Sequence, residues 1–329
     1  MTHYARCPLA LVAVLALAVP PLTAQLDTAA GAAALADFAS ACAKDGGALW
    51  GRSLCGPILL VDPATRTVIA NQPDSAHQLT AQGSVYVGTL PAGVTPANTA
   101  VAWGGVRWAM VVLPLPADRF TRLELLARES FHRIQGDLGL AAADASSPQL
   151  DERDGRVWLR LELRALSRAL SSSGPAARDA ARDAMLFRAY RLSQTRGADS
   201  LEALLETQEG LAEYTGAKVA LAATGLADKR VATVLADFET QASYVRSFAD
   251  ATGPAIGLLL DRYASDWRMR VRTRHDPAGL LAAALGFRPD DGLEREAKAA
   301  ARAYDAATIT TAEDARATER ATRLATPRP

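Results

Sequence analysis

The chain has 329 residues, of which 49% are hydrophobic, enough to bury a substantial core. Its 36 basic and 36 acidic side chains cancel, so no net field draws in nucleic acid or an anionic membrane, and a nucleic-acid partner is excluded on charge.

In chain order, residues 1–24 carry the parts of an export signal. Arg6 supplies a positive start, Pro8 to Val19 an apolar stretch, and Leu22-Thr23-Ala24 a small-residue end before Gln25. The apolar stretch is too short to span a bilayer, and no transmembrane segment is expected after signal cleavage. Cleavage would remove Cys7 and leave Cys42 and Cys55, and two cysteines in an exported chain predict one disulfide and a secreted or periplasmic location.

Residues 28–44 show a helical pattern, with Leu35, Phe38 and Ala41 or Cys42 on one side. The period then changes. Residues 57–61, 67–70 and 84–87 are short β-branched or aromatic runs bounded by turn residues, as strands are. Gly104-Gly105 between residues 101–103 and 106–112 predicts a hairpin, because glycine accepts the positive φ of a two-residue turn. From Pro116 the pattern becomes helical, over 118–136, 153–172, 176–195, 199–223, 228–250, 253–264 and 292–322. The layout is α+β, a small amino-terminal β-rich region (25–115, with the hairpin at a cleft edge) followed by a mostly helical one (116–309). The polar residues 310–329 read as a helical or disordered tail.

Chemistry concentrates in two helices. Residues 118–135 carry a core stripe of Phe120, Leu123, Ala127, Phe131 and Ile134, and beside it Leu125, Arg128, Glu129 and His132 share a second face. Arg128-Glu129-Ser130-Phe131-His132 matches the His-Glu-x-x-His zinc signature except that its first His is Arg128. The second helix contains Glu209-Gly210-Leu211-Ala212-Glu213-Tyr214. Glycine in a helix interior costs about 1 kcal/mol relative to Ala, so Gly210 implies the close approach of another helix or an ion. Glu202, Glu206, Glu209 and Glu213 also fit a solvated acidic stripe.

With these segments in this order, the chain resembles the gluzincin zinc metallopeptidases. It resembles more narrowly a group of exported bacterial proteins of unassigned function that share Leu54-Cys55-Gly56-Pro57, the Trp103-to-Trp108 region, Phe131 to Gln135 and Glu209 to Gly216. The resemblance implies His132 and Glu209 as metal ligands, Glu129 as the catalytic base and Glu213 as a supporting group. Tyr244 and Arg246 are candidate oxyanion donors across the cleft. It also implies that residues 106–113 border the cleft and pair with an extended peptide or protein segment.

Arg128 departs from the family. A guanidinium has no lone pair to give a metal, so zinc binding is expected to be weak or absent and any peptidase activity impaired. The alternatives are a working zinc peptidase that recruits His77 or His275, and a non-enzymatic peptide-binding protein. The 76 residues between His132 and Glu209 read as an insertion of two helices that loops away from the site, with Glu162 and Arg164 forming a pair.

Overall fold

The computed structural model of the chain describes residues 27–141 and 145–325, so the export signal and Pro327-Arg328-Pro329 lie outside the described residues. The chain opens with helix α1 (Thr28–Asp45), capped by the Asp27 carboxylate on the Ala30 amide. Six strands follow, β1 (Ile58–Val61), β2 (Thr67–Ala70), β3 (Thr80–Gln82), β4 (Val85–Thr89), β5 (Thr99–Trp103) and β6 (Val106–Val112). They form one sheet in the order β3-β4-β2-β1-β6-β5, antiparallel except for the β1/β6 pair. Gly104 and Gly105 turn the β5/β6 hairpin with φ of 59° and 75°, the conformation their sequence predicts.

The helical part comprises α2 (Arg119–Gln135), α3 (Arg153–Ser171), α4 (Gly174–Ser193), α5 (Ala198–Leu205), a π turn (Glu206–Gly210), α6 (Leu211–Thr224), α7 (Lys229–Phe238), α8 (Phe248–Tyr263), α9 (Trp267–Arg274), α10 (Pro277–Ala284), α11 (Leu293–Ala301) and α12 (Ala306–Ala325). The fold is α+β. Sheet residues Ile58, Leu60, Ile69, Ala109 and Val111 join one continuous core with the helices. Alternate residues Leu59, Val61, Val68, Trp108 and Met110 pack on the opposite face with Leu79 and Leu90 from the connecting segments.

Cys42 and Cys55 form a disulfide that closes a loop of sequence separation 13. Restricting the unfolded chain over a loop of this size contributes about 3 kcal/mol. The loop carries Trp50, which is buried against Phe131, Tyr214 and Trp267 with ring centroids 5.1, 6.4 and 5.9 Å away. Its indole N–H donates to Thr215 Oγ1 at 2.9 Å, and Arg133 Nη2 donates to the Leu54 and Cys55 carbonyls. The disulfide loop is thereby clamped to α2 and α6. Among the described residues no helix is long and apolar enough to cross a membrane.

Four expectations change. The helix expected over 228–250 stops at Phe238, because residues 239–247 give their backbone carbonyls to other partners. Arg156 donates to the Gln241 and Ala242 carbonyls, and the Tyr244 hydroxyl donates to the Glu239 carbonyl. The expected 292–322 helix breaks before Ala306, where Asp305 takes a left-handed φ of 56°. The tail is helical to Ala325, anchored by Ile309 in the core and by the buried Glu313, which pairs with Arg156 at 2.7 Å and Arg160 at 2.8 Å.

The fourth change concerns α3 and α4, which pack behind the site. Glu162 and Arg164 do not pair with each other. Glu162 is fully buried against Arg188 and Arg191 of α4, at 2.7 Å from each, whereas Arg164 turns the other way to Glu239. Arg188 also grips Glu206 of the π turn with both terminal nitrogens, at 2.8 and 2.5 Å.

Candidate functional site

Helix α2 begins with Asp118, whose side chain caps the Thr121 amide, and lays Leu123, Ala127, Phe131 and Ile134 into the core. That orientation turns Arg128, Glu129 and His132 toward α6 and the π turn. Residues 206–210 form five residues of π helix, and this wider turn divides the glutamates between two sides. Glu202 and Glu206 are buried against Arg191 and Arg188, while Glu209 and Glu213 face Arg128. A single solvated acidic stripe is therefore not what forms.

Gly210 permits the crossing with α8. A Cβ on Gly210 would sit 3.1 Å from Gly253 Cα, and a Cβ on Gly253 would sit 2.3 Å from Gly210 Cα, closer than real side chains come. A helix thus makes the close approach that the mid-helix glycine implied.

At the centre, Arg128 Nη2 lies 3.3 Å from Glu209 Oε2, across 81 residues of sequence. Its Nη1 is 3.4 Å from Glu129 Oε1, and its Nε is 2.8 Å from Glu213 Oε1 in an ion pair without hydrogen-bond alignment. His132 Nε2 lies 3.5 Å from the same Glu209 Oε2. Two ligands of one zinc ion, each about 2 Å from it, stand about 3–4 Å apart, so this separation is within bridging reach. Glu129 is fully buried, and neither of its carboxylate oxygens has a hydrogen-bond partner in the protein.

Arg128, His132 and Glu209 open on a polar cleft of about 530 Å³, lined also by Asn98, Thr99, Ala100, Arg107, Arg246 and Asp250. Strand β6 brings Arg107 to the cleft, as expected of residues 106–113, but it is paired on both sides by β1 and β5 and offers no free edge; the edge strand is β5, which brings Thr99 and Ala100 to the cleft.

Arg246 lines the cleft, but Tyr244 does not. The Tyr244 ring lies under the Arg156 guanidinium at 4.0 Å, its hydroxyl engaged by the Glu239 carbonyl, so it is no oxyanion donor for this cleft. His77 is exposed, and His275 borders a separate cavity with Nε2 2.9 Å from the Arg272 carbonyl. Neither lines the cleft as a substitute ligand. Glu124, Gln135 and Asp250 neighbour the same cluster, and the sequence assigned none of them a role: Gln135 appeared only within the shared Phe131-to-Gln135 segment, and Asp250 only as the end of an expected helix.

Burial dominates the electrostatics. It pushes the Glu213 carboxyl up to about 8 against the pull of the Arg128 charge, Glu124 to about 7 and Asp250 to about 6. Glu129 is also raised by burial, with Arg128 and His132 opposing. Burial works against the charged form of Glu209 too, but the His132 hydrogen bond and the charges of His132 and Arg128 outweigh it and hold this carboxyl below its ordinary range. At His132, burial disfavours the cation, yet the Glu209 hydrogen bond and the Glu129 and Glu209 charges prevail and raise its pKa.

A pH dependence follows. Carboxyls in the unfolded chain titrate near pH 4, so the folded protein holds protons on Glu213, Glu124 and Asp250 more tightly than the unfolded chain does. Their contribution to stability is complete below about pH 4 and is lost as pH rises through 6, 7 and 8. The melting temperature of the wild type is expected to fall over this window, and Glu213→Gln to flatten its alkaline end. Thermal melts at intervals from pH 5 to 8.5 check this, and parallel profiles for the two proteins would contradict it.

Among the described residues no set of three His, Cys, Asp or Glu side chains is disposed to hold a metal ion. The donor chemistry gives the reason at this cluster. His132 Nε2 and Glu209 Oε2 are two donors at bridging distance, but a guanidinium, which can only donate hydrogen bonds, already contacts the same Glu209 oxygen. A catalytic zinc does not fit the chain as it stands.

Family models, curated proteins and solved structures yield no match to this chain.

Proposed function

We propose that this protein is a gluzincin-like relative of the zinc metallopeptidases whose peptidase chemistry has been lost, with the cleft retained as a groove for an extended peptide or protein segment. The observation that carries the reading is the meeting of His132 and Glu209 at 3.5 Å, from separate helices and with Glu129 and Arg128 beside them. A solvated acidic helix gives no reason for such convergence. A buried carboxylate without hydrogen bonds, as at Glu129, is a cost that proteins concentrate at functional sites. Arg128 supplies the positive charge that a zinc ion supplies in the family, offsetting Glu209, and its contact with Glu213 ties α2 to α6.

β5 is an edge strand whose first residues, Thr99 and Ala100, reach the cleft, which favours peptide capture by strand addition, and this needs no metal. The disulfide and the amino-terminal signal pattern support a place in the bacterial envelope or outside the cell.

Metal analysis tests the loss of zinc chemistry. Wild-type protein purified without added metal is expected to hold far less than one zinc per chain. Near-stoichiometric zinc that disappears in His132→Ala would overturn the reading in favour of an active peptidase.

A further inference from the structure

The charges that line the cleft do not cancel. Arg128 and His132 both contact Glu209, and Glu129 and Glu213 also lie beside Arg128. That leaves Arg107 and Arg246 as further cations on the walls, with Asp250 the one further acid among the lining residues. Burial raises the Asp250 carboxyl to about 6, so it ionises only above the ordinary carboxylate range. Arg107 meets no carboxylate among the described residues, and its Nε donates to the Arg133 carbonyl at 3.0 Å. The Arg133 guanidinium is likewise answered by carbonyls, those of Leu54 and Cys55, and its pKa is held down by burial and then by the Arg107 charge. Asp137 pulls the other way on Arg133 but is itself paired with Arg52 at 2.5 Å. Two guanidinium groups near enough to repel, each satisfied by neutral carbonyls, make a positive wall that an anion relieves.

Strand register puts this charge where an added strand would meet it. Directly opposed residues of an antiparallel pair share one face of the sheet, and Arg107 stands opposite Ala102 as Ala109 stands opposite Ala100. Ala109 packs into the core shared with the helices, so Arg107, two residues before it, emerges on the same helix-facing side, as do Ala100 and Ala102. A strand added outside β5 would lie about 10 Å from β6, twice the usual strand spacing. The β5 side chains between them on that side are alanine methyls, low enough for a long side chain of the added strand to reach over them to Arg107. We infer that the groove selects an extended segment carrying an acidic side chain, glutamate before aspartate, directed at Arg107 within the cleft that Arg246 also lines, an inference that rests on the peptide-capture role proposed for the groove.

The probes are short, labelled peptides of alternating threonine and valine, capped at both ends and differing only in the central residue, which is glutamate, glutamine or lysine. Binding is read by fluorescence anisotropy at neutral pH and low salt. The glutamate peptide is expected to bind wild-type protein at least about tenfold more tightly than the glutamine peptide, because a hydrogen bond to a charged group is stronger than a neutral one. The lysine peptide is expected to bind more weakly than either, and added salt to shrink the preference. Arg107→Gln is expected to remove most of the glutamate preference and to leave the glutamine peptide unaffected, whereas Asp250→Asn, which takes the competing acid out of the cleft, is expected to increase it. Arg270→Gln, an equal loss of charge on α9 outside the cleft lining, is the control and is expected to change nothing. A glutamine peptide with a free carboxyl terminus tests the other source of a carboxylate.

Glutamate and glutamine peptides of equal affinity for the wild type, or a glutamate preference that Arg107→Gln leaves intact, would overturn the inference while the peptide groove stands. So would a gain confined to the free carboxyl terminus. Failure of every peptide to bind, whatever its central residue, would instead remove the peptide groove and the inference with it. If Arg107→Gln does not fold, the wild-type preference and its increase in Asp250→Asn carry the test.

Discussion

Arg188→Met is expected to lower the unfolding free energy by about 3–5 kcal/mol near pH 8, because it breaks a buried ion network by removing one partner. Arg188 sits between Glu162 and Glu206, both almost completely buried, and makes hydrogen bonds of 2.5 to 2.8 Å to them. Methionine has comparable length and fills much of the space, so lost packing contributes little. The cost comes from two carboxylates deprived of their cation in a low dielectric. Arg191 still reaches Glu162 at 2.7 Å, but Glu206 keeps only the Thr252 hydroxyl at 2.6 Å. Burial already raises the Glu206 carboxyl in the wild type, Arg188 being the main opposing influence. Without Arg188 this carboxyl gains a proton more easily, so the deficit should shrink as the pH falls toward 5. Denaturant unfolding at pH 5 and pH 8 measures both effects. A loss below about 1 kcal/mol, or a deficit that grows on acidification, would show that the network is not what holds α3, α4 and the π turn together.

That network also shows where sequence reasoning stops. Helical periodicity places the apolar faces of α2, α3 and α4 correctly, because leucine and phenylalanine at three- and four-residue spacing have one economical destination. The same arithmetic gives Glu162 a local partner in Arg164 and puts Glu202 and Glu206 on a solvated stripe, since a charge is buried only beside its partner and the true partners, Arg188 and Arg191, lie on another helix. Pairing across 18 or 26 residues leaves no local trace. The β5/β6 hairpin was legible because two glycines state the turn chemistry locally. Strand β3 was not, because its three residues are all exposed and show no alternation. The choice between β5 and β6 as the free edge depends on the parallel β1/β6 pairing, a long-range contact that neither strand announces.

The candidate site was legible to a similar depth. The spacing of Arg128, Glu129 and His132 on one helix face follows from 3.6 residues per turn, and Glu209 was reached through the family pattern. Nothing in propensity signals the π turn, apart from Gly210, whose reason is the crossing with Gly253. Gln135 appeared only within the shared Phe131-to-Gln135 segment, because two of its partners are carbonyls 72 and 73 residues away.

The proposed function places Arg128, His132 and Glu209 in one degenerate zinc site, and Arg128→His tests it with the other large effect expected here. The change places two imidazoles four residues apart on one helix face and completes a His-His-Glu donor set with Glu209. It also removes a fixed positive charge that contacts Glu209; two unit charges about 4 Å apart in an effective dielectric of about 20 interact by about 4 kcal/mol, so relieving the repulsion of even one of zinc's two charges is worth roughly a thousandfold in affinity. The added ligand contributes beyond that. Binding should return more readily than turnover, because zinc needs the donors alone whereas hydrolysis also needs oxyanion donors, and Tyr244 is turned away from the cleft. The decisive measurement is a zinc titration of Arg128→His beside the double variant Arg128→His with Glu209→Gln. Affinity at least about a thousandfold above wild type is expected in the single variant, with loss of most of that gain in the double. A single variant that binds zinc no better than wild type, or a double variant that binds as tightly as the single, would contradict it.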